Sequence, residues 1–155
     1  MAIVGGAKVA DKLGIVKVLA QRADVVLVGG GMAYTFEASR GRTIGSSLFD
    51  ASFLDECAGL LEGGRVRIPA DTRGLANGAP FGSNGGPDAV VDFGANVPDG
   101  FEGLDIGPGA IEEFTGIIAT AKTILWNGPM GVFEDPRFGL GTEAVARAVA
   151  ASSAL

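Results

Sequence analysis

A three-layer α/β domain built on a parallel sheet is the fold this sequence predicts, and three observations predict it. Short apolar runs alternate with helix-length segments along the chain. The clearest run, Val25 to Val28, lacks the polar–apolar alternation of a half-exposed strand and suits one covered on both faces. Three of the runs end in glycine or Asn-Gly turns: Gly5-Gly6, Gly29-Gly30-Gly31 and Asn127-Gly128-Pro129. At 155 residues the chain suits one domain with a sizeable core, spanning 1–155. With 47% hydrophobic and 19% charged residues it is not a disordered chain.

The elements follow in order. Ile3-Val4 ends a strand at Gly5-Gly6. Val9, Leu13, Val16 and Ala20 lie at helical spacing and predict a helix from Val9 to Gln21. Val25 to Val28 forms the next strand, and a second helix runs from Met32 to Ser39. Asp50 is placed to cap a third helix, from Ala51 to Leu61, which Gly63-Gly64 stops. Arg65 to Ile68 reads as a strand end before Pro69. Residues 72–100 are rich in glycine and proline and read as long loops around one short strand, Ala89 to Phe93. A helix from Ala110 to Ala121, a strand from Thr123 to Trp126 and a last helix from Thr142 to Ala151 complete the pattern. No internal repeat is visible.

Composition removes whole classes of chemistry. With no histidine in the chain, Ser-His-Asp and Cys-His catalysis and His-ligated metals are excluded. One cysteine, Cys57, forms neither an internal disulfide nor a zinc cluster, and its apolar helix face marks it as core rather than nucleophile. The net charge of −6 argues against nucleic acid as a partner. Yet residues 1–22 hold Lys8, Lys12, Lys17 and Arg22 against Asp11 alone, which suits a small anion near the N-terminal segment. No stretch approaches the ~20 apolar residues of a membrane span, and no signal segment opens the chain, so a cytoplasmic protein is expected.

In parallel α/β sheets ligands sit beyond the carboxyl ends of the strands, so the three glycine turns are expected to converge on one crevice. Glycine there lets the backbone approach a ligand and leaves amides free at a helix start, an arrangement that favours phosphate. Lys8 and Lys12 stand four apart on the first helix; an anion would relieve their repulsion, and a solvated basic face is the alternative. Lys17 lies roughly 140° further round and belongs to solvent. The glycine run at 29–31 is a poor dinucleotide fingerprint, because Tyr34 stands where its third glycine belongs; tight helix–sheet packing explains the run equally well. In NGPMGVFE, Val132 and Phe133 offer an apolar wall and Glu134 an acid for a sugar hydroxyl, unless the segment is an ordinary loop. Trp126 reads as packing at a buried strand end. Glu112, Glu113, Asp135 and Glu143 read as solvated charge.

Taken together, GGAKVADK at 5–12, GGGMAYTF at 29–36, IGSSLFD at 44–50, GLDIGP at 103–108 and WNGPMGVFE at 126–134 closely resemble the C-terminal, nucleotide-binding domain of the phosphoglycerate kinase family. The likeness covers nearly the whole chain, and GGAKVADK and WNGPMGVFE are its most specific segments. It implies a Rossmann-like domain, here incomplete at its C-terminal end, that binds ADP or ATP. By position it places Gly6, Ala7 and Lys8 at the nucleotide, with Lys8 near the transferring phosphoryl group and Lys12 on the phosphates, the two lysines being the catalytic cations. Gly30 and Gly31 fall beside the adenine, with Leu48 and Leu104 as apolar contacts to that ring. Asn127, Pro129 and Val132 fall in the loop over the nucleotide, and Glu134 at the ribose.

The implied reaction is reversible phosphoryl transfer between 1,3-bisphosphoglycerate and ADP, giving 3-phosphoglycerate and ATP. Such transfer needs positioning and cations more than covalent chemistry. Magnesium would enter with the nucleotide, its aspartate ligand expected beyond Leu155, so no metal ligand is assigned within the chain. The 3-phosphoglycerate would need an N-terminal domain that these residues do not contain, so the chain alone is expected to bind nucleotide without turnover. Where the family continues with an apolar strand after Pro69-Ala-Asp71, this sequence runs TRGLANGAPFGSN. A non-catalytic adenine-nucleotide module is the alternative, and a nicotinamide-dependent dehydrogenase a more distant one.

Overall fold

The computed structural model describes residues 1–80 and 89–155. Four short strands form a parallel sheet in the order β3-β2-β1-β7: β1 (Ala2–Val4), β2 (Val26–Val28), β3 (Val66–Arg67) and β7 (Leu125–Asn127). The register sets Ile3 between Leu27 and Trp126, and Val4 between Val28 and Asn127. β1 and β2 are buried along their whole length, which explains their unbroken apolar sequence. Succession runs from β1 through β2 to β3 in one direction, and β7 then joins the opposite side of β1. The strand order therefore reverses between β1 and β7, where an open parallel sheet leaves a crevice at its carboxyl edge.

Helices cover both faces. α1 (Val9–Arg22), α2 (Ala33–Ser39) and α3 (Leu54–Glu62) bury Val16, Phe36 and Cys57 against one side of the sheet. On the other side α4 (Pro108–Ala119) and α5 (Leu140–Ala151) bury Phe114, Ile118 and Val145 beside Ile3 and Leu27. Burial pushes the Cys57 thiol up to about 11, so it stays protonated and inert, as its core position requires.

Two expectations need correction. Residues 72–100 are not long loops around one strand. β4 (Thr72–Ala76) pairs antiparallel with β5 (Val90–Phe93) on one side and with β6 (Phe101–Ile106) on the other, a second sheet of order β5-β4-β6. Gly74 misleads because its glycine serves a close approach: a Cβ there would stand 1.9 Å from the Glu102 carbonyl oxygen, beside a register shift at Arg73/Gly74. The loop expected at 81–88 lies outside the described residues. Asp135, expected in solvent, is fully buried and forms an ion pair with Arg137 (2.6 Å).

Smaller shifts have local causes. Asp50 accepts from the Ser52 amide (3.0 Å), but the turn it caps, Ala51–Phe53, is a 3-10 turn, and the α-helix begins at Leu54. α4 opens two residues early, on Pro108, which suits a first helical position. Trp126 is half-buried rather than buried, its indole N–H donating to the Gly128 carbonyl (2.7 Å), so its role remains packing.

α4 owes its start to a distant carboxylate. Asp71, just before β4, accepts from the Gly109 amide through Oδ2 (2.8 Å) and from the Ala110 amide through Oδ1 (2.6 Å). These contacts tie the second sheet to the helix layer and satisfy two amides of the helix terminus. Replacing Asp71 by Ala is expected to cost about 1–2 kcal/mol in urea unfolding, and Asn, which keeps one acceptor, to recover part of it.

Candidate functional site

The three glycine turns do converge, through backbone hydrogen bonds. The Gly5 amide donates to the Asn127 carbonyl (2.9 Å), joining the first turn to the third. The Met32 amide donates to the Gly6 carbonyl (3.0 Å), and the Gly30 amide to the Met130 carbonyl (2.9 Å), joining the second turn to both others. Only glycine permits this at position 30. Its φ is +72°, and a Cβ would lie 2.6 Å from the Gly6 oxygen and 2.7 Å from the Gly6 nitrogen.

Above the turns lies a cavity of about 220 Å³, at the reversal of strand order. Nine of the residues singled out from the sequence line it: Gly6, Ala7, Gly30, Gly31, Leu48, Leu104, Pro129, Val132 and Glu134. The floor is turn backbone, Leu48 and Val132 give apolar walls, and Glu134 is an exposed acid at the edge. Such a site, concave and largely apolar with a few polar groups, suits a flat ring carrying polar substituents.

The remaining three residues stand nearby but not on that cavity. Lys12 donates to the Asn127 side-chain oxygen, linking α1 to the end of β7. Lys8 is the N-cap of α1, with extended backbone at φ −110° and ψ 125°, so it does not share a helical face with Lys12 as expected. It lines an adjoining pocket of about 250 Å³, and Ala7, Gly31 and Leu48 line both spaces. No side chain among the described residues caps the N-terminus of α1, which leaves its positive dipole end for an anion. Lys17 pairs with Glu56 and is not part of the site. Glu112 and Glu113 are exposed, and Glu143 pairs with Arg147 along α5, as their sequence context suggests.

Sequence reasoning assigned Leu104 on β6 but missed the rest of the wall that strand provides. Glu102 and Gly103 line the cavity, as do Ser46 and Gly131. The Ser47 hydroxyl holds this wall by accepting from the Gly103 amide (2.9 Å). The buried Tyr34 hydroxyl fills the space beside Gly103, where a Cβ would stand 2.1 Å away. Burial pushes the Tyr34 phenol well above its ordinary value, so it is neutral at every working pH. Thus the residue that spoils a dinucleotide fingerprint supports the crevice wall instead.

Next to Leu104 stands Asp105, 2% exposed and without an ion-pair partner among the described residues. Its carboxylate accepts from the Gly141 amide (2.8 Å) and from the Ile106 amide (2.9 Å). Burial raises its pKa to about 6, against the pull of those bonds and of Arg73. Among the described residues no group of three or more His, Cys, Asp or Glu side chains is placed to hold a metal ion. Nor is any helix among them long and apolar enough to cross a membrane.

Fold and site together define a Rossmann-like α/β domain with a crevice at the switch point of a parallel sheet. A family model for phosphoglycerate kinase matches residues 1–155. The chain is 49% identical over 147 residues to the phosphoglycerate kinase of Leuconostoc citreum, covering 94% of this chain and 35% of that protein. To that of Mycobacterium bovis it is 45% identical over 153 residues, 97% of this chain and 36% of the relative. The solved phosphoglycerate kinase from Coxiella burnetii superimposes with a TM-score of 0.89 at 34% identity, over 99% of this chain and 39% of that one. The enzyme from Pyrococcus horikoshii gives 0.80 at 29% identity, with the same coverage. This chain therefore belongs to the phosphoglycerate kinase family, and it spans about a third of the length of the curated relatives it matches.

Two outcomes are expected from the geometry. Gly30→Ala should lose about 1–3 kcal/mol in urea unfolding, the strain of a left-handed turn, with the added methyl pressed into Gly6. The second concerns acid. The Asp105 carboxyl is raised in the folded chain, so its protonation favours the folded state. Its contribution is fully present below the unfolded value near 3.8 and is lost as pH rises through about 6. Urea midpoints at pH 5 and pH 7 should show this component in the parent chain and not in Asp105→Asn.

Proposed function

We propose that residues 1–155 form the greater part of the nucleotide-binding domain of a phosphoglycerate kinase and hold ADP or ATP in the crevice. One observation carries this reading: residues assigned from separate sequence segments line a single cavity at the switch point of the sheet. In this reading Leu48, Leu104 and Val132 enclose the adenine against the Gly30-Gly31 backbone. Glu134 meets the ribose, and the phosphates run toward the N-terminus of α1. There Gly6 and Ala7 present backbone, while Lys8 and Lys12 supply positive charge, with Asn127 orienting the Lys12 ammonium.

The reaction served is phosphoryl transfer between 1,3-bisphosphoglycerate and ADP, giving 3-phosphoglycerate and ATP. What the transfer asks of the protein is alignment and charge, not a covalent intermediate. Lys8 and Lys12 stabilise charge on the transferring group, and the turn amides fix its position. Magnesium, when bound with the nucleotide, neutralises phosphate charge. In this reading the ion would enter with ADP or ATP, with its aspartate ligand expected beyond these residues. Binding of 3-phosphoglycerate is assigned to a domain outside these residues, so the chain by itself binds nucleotide and does not turn over. Closure of two domains around the substrates is what would exclude water during transfer. The cytoplasm suits a chain acting on free nucleotide and phosphorylated acids.

Thermal unfolding with ADP, ATP and NAD, with and without magnesium, tests the reading. A ligand at 100 times its Kd stabilises by about 2.7 kcal/mol, a rise of roughly 5–11 °C for a domain of this size. ADP and ATP should raise the Tm and NAD should not, and Lys8→Ala/Lys12→Ala should abolish most of the rise. No shift by either adenine nucleotide in a cooperatively folded chain would contradict the reading.

A further inference from the structure

The crevice wall formed by residues 129–134 hangs from three hydrogen bonds to three different elements. The Gly30 amide donates to the Met130 carbonyl (2.9 Å), the Met130 amide to the Thr142 hydroxyl on α5 (2.9 Å), and the Val132 amide to the Leu104 carbonyl on β6 (2.8 Å). The second of these depends on where α5 begins, because Thr142 lies in its first turn. Asp105 fixes that beginning. Its Oδ2 accepts from the Gly141 amide, one residue before Thr142, while its own backbone continues the strand that carries Leu104.

Shape supports the same conclusion. A Cβ on Gly131 would lie 2.3 Å from the Asp105 Oδ1 atom, and one on Gly141 would lie 2.4 Å from it. The carboxylate is therefore wedged between the crevice loop and the start of α5, and glycine is needed on both sides to admit it. A buried carboxylate with no ion-pair partner among the described residues is a costly way to fill space. An apolar side chain would fill it without that cost but would leave the Gly141 amide without its acceptor.

We propose that Asp105 is a positioning residue for the crevice. By tying the first turn of α5 to β6, it holds Met130 to Glu134 in place and so sets how tightly the crevice binds a purine nucleoside. The inference rests on the nucleotide reading above and adds to it a residue that touches no ligand. Ionised Asp105 accepts from Gly141 more strongly than the neutral acid does, so binding weakens as the carboxyl takes up a proton. Other titratable or charged groups lie around it. Arg73 on β4 approaches it while bonded to Asp92, and Tyr34 and Glu37 on α2 share with it and Thr72 a cavity of about 10 Å³. Glu37 is bonded to Arg42. α5 meets the carboxylate through the Gly141 amide.

The test compares the parent chain with Asp105→Asn, Thr142→Ala and Thr142→Ser. Adenosine is titrated at pH 8 and pH 5, since it has no phosphate to titrate, and amide exchange is followed without ligand. Asp105→Asn should bind adenosine roughly tenfold more weakly at pH 8, the scale of one lost hydrogen-bonded constraint. It should also lose the pH dependence seen in the parent and exchange its Met130 and Val132 amides faster. Thr142→Ala should reproduce the weaker binding, and Thr142→Ser, which keeps the hydroxyl, should restore it. Parental affinity and exchange in folded Asp105→Asn would overturn the proposal, as would an unchanged pH dependence. If Asp105→Asn does not fold, equal binding by Thr142→Ala and Thr142→Ser overturns it. A parent chain that binds neither adenosine nor ADP removes the nucleotide reading. Amide exchange at Met130 and Val132 then still decides whether Asp105 holds the loop.

Discussion

Everything in this domain that resembles a site depends on three stretches of backbone coming closer together than side chains would allow. Gly5-Gly6, Gly29-Gly30-Gly31 and Asn127-Gly128-Pro129 interlock through amide–carbonyl bonds, and a Cβ at Gly5, Gly30 or Gly128 would collide with the backbone of a neighbouring turn. Parallel pairing of β1 with both β2 and β7 brings the turns level, because Val4 lies opposite Val28 and Asn127. The reversal of strand order at β1 then opens the space above them. Remove the interlock and the cavity has no floor.

Around that floor, separate elements supply different properties. α1 brings a helix N-terminus and two lysines, which attract negative charge. β6 and the loop after β7 bring apolar walls. The second sheet has no part in the parallel core, yet it carries β6, and Asp71 and Asp105 fasten it to α4 and α5. Both carboxylates act on backbone amides rather than on cations. Asp71 adds stability as the cap of α4, whereas the buried Asp105 fixes position at some expense in stability.

The parallel core was legible because its signals are local. Unbroken apolar runs ending in glycine mark strands covered on both faces, and the spacing of Val9, Leu13 and Val16 marks the helix that covers them. The crevice floor was legible for the same reason, since each turn announces itself in sequence. What escaped depends on distant partners. β4 was hidden because Gly74 serves contact with Glu102, and a glycine in a polar stretch looks like a loop. Asp135 looked solvated because its burial comes from tertiary packing that spacing cannot show. Asp105, within GLDIGP, carries no local signal, since its partner Gly141 lies 36 residues away. In the sequence Tyr34 reads only as a missing glycine; its place beneath Gly103 depends on the fold.

On the proposed reading, the three turns form the floor of an adenine-nucleotide site. Backbone amide chemical shifts, followed while ADP is added to the isotope-labelled chain, test it most directly. The largest changes are expected at Gly6, Ala7, Gly30, Gly31, Leu104 and Val132, with smaller ones through the first turn of α1. Changes centred elsewhere, or none at ADP concentrations that saturate related kinases, would contradict the account.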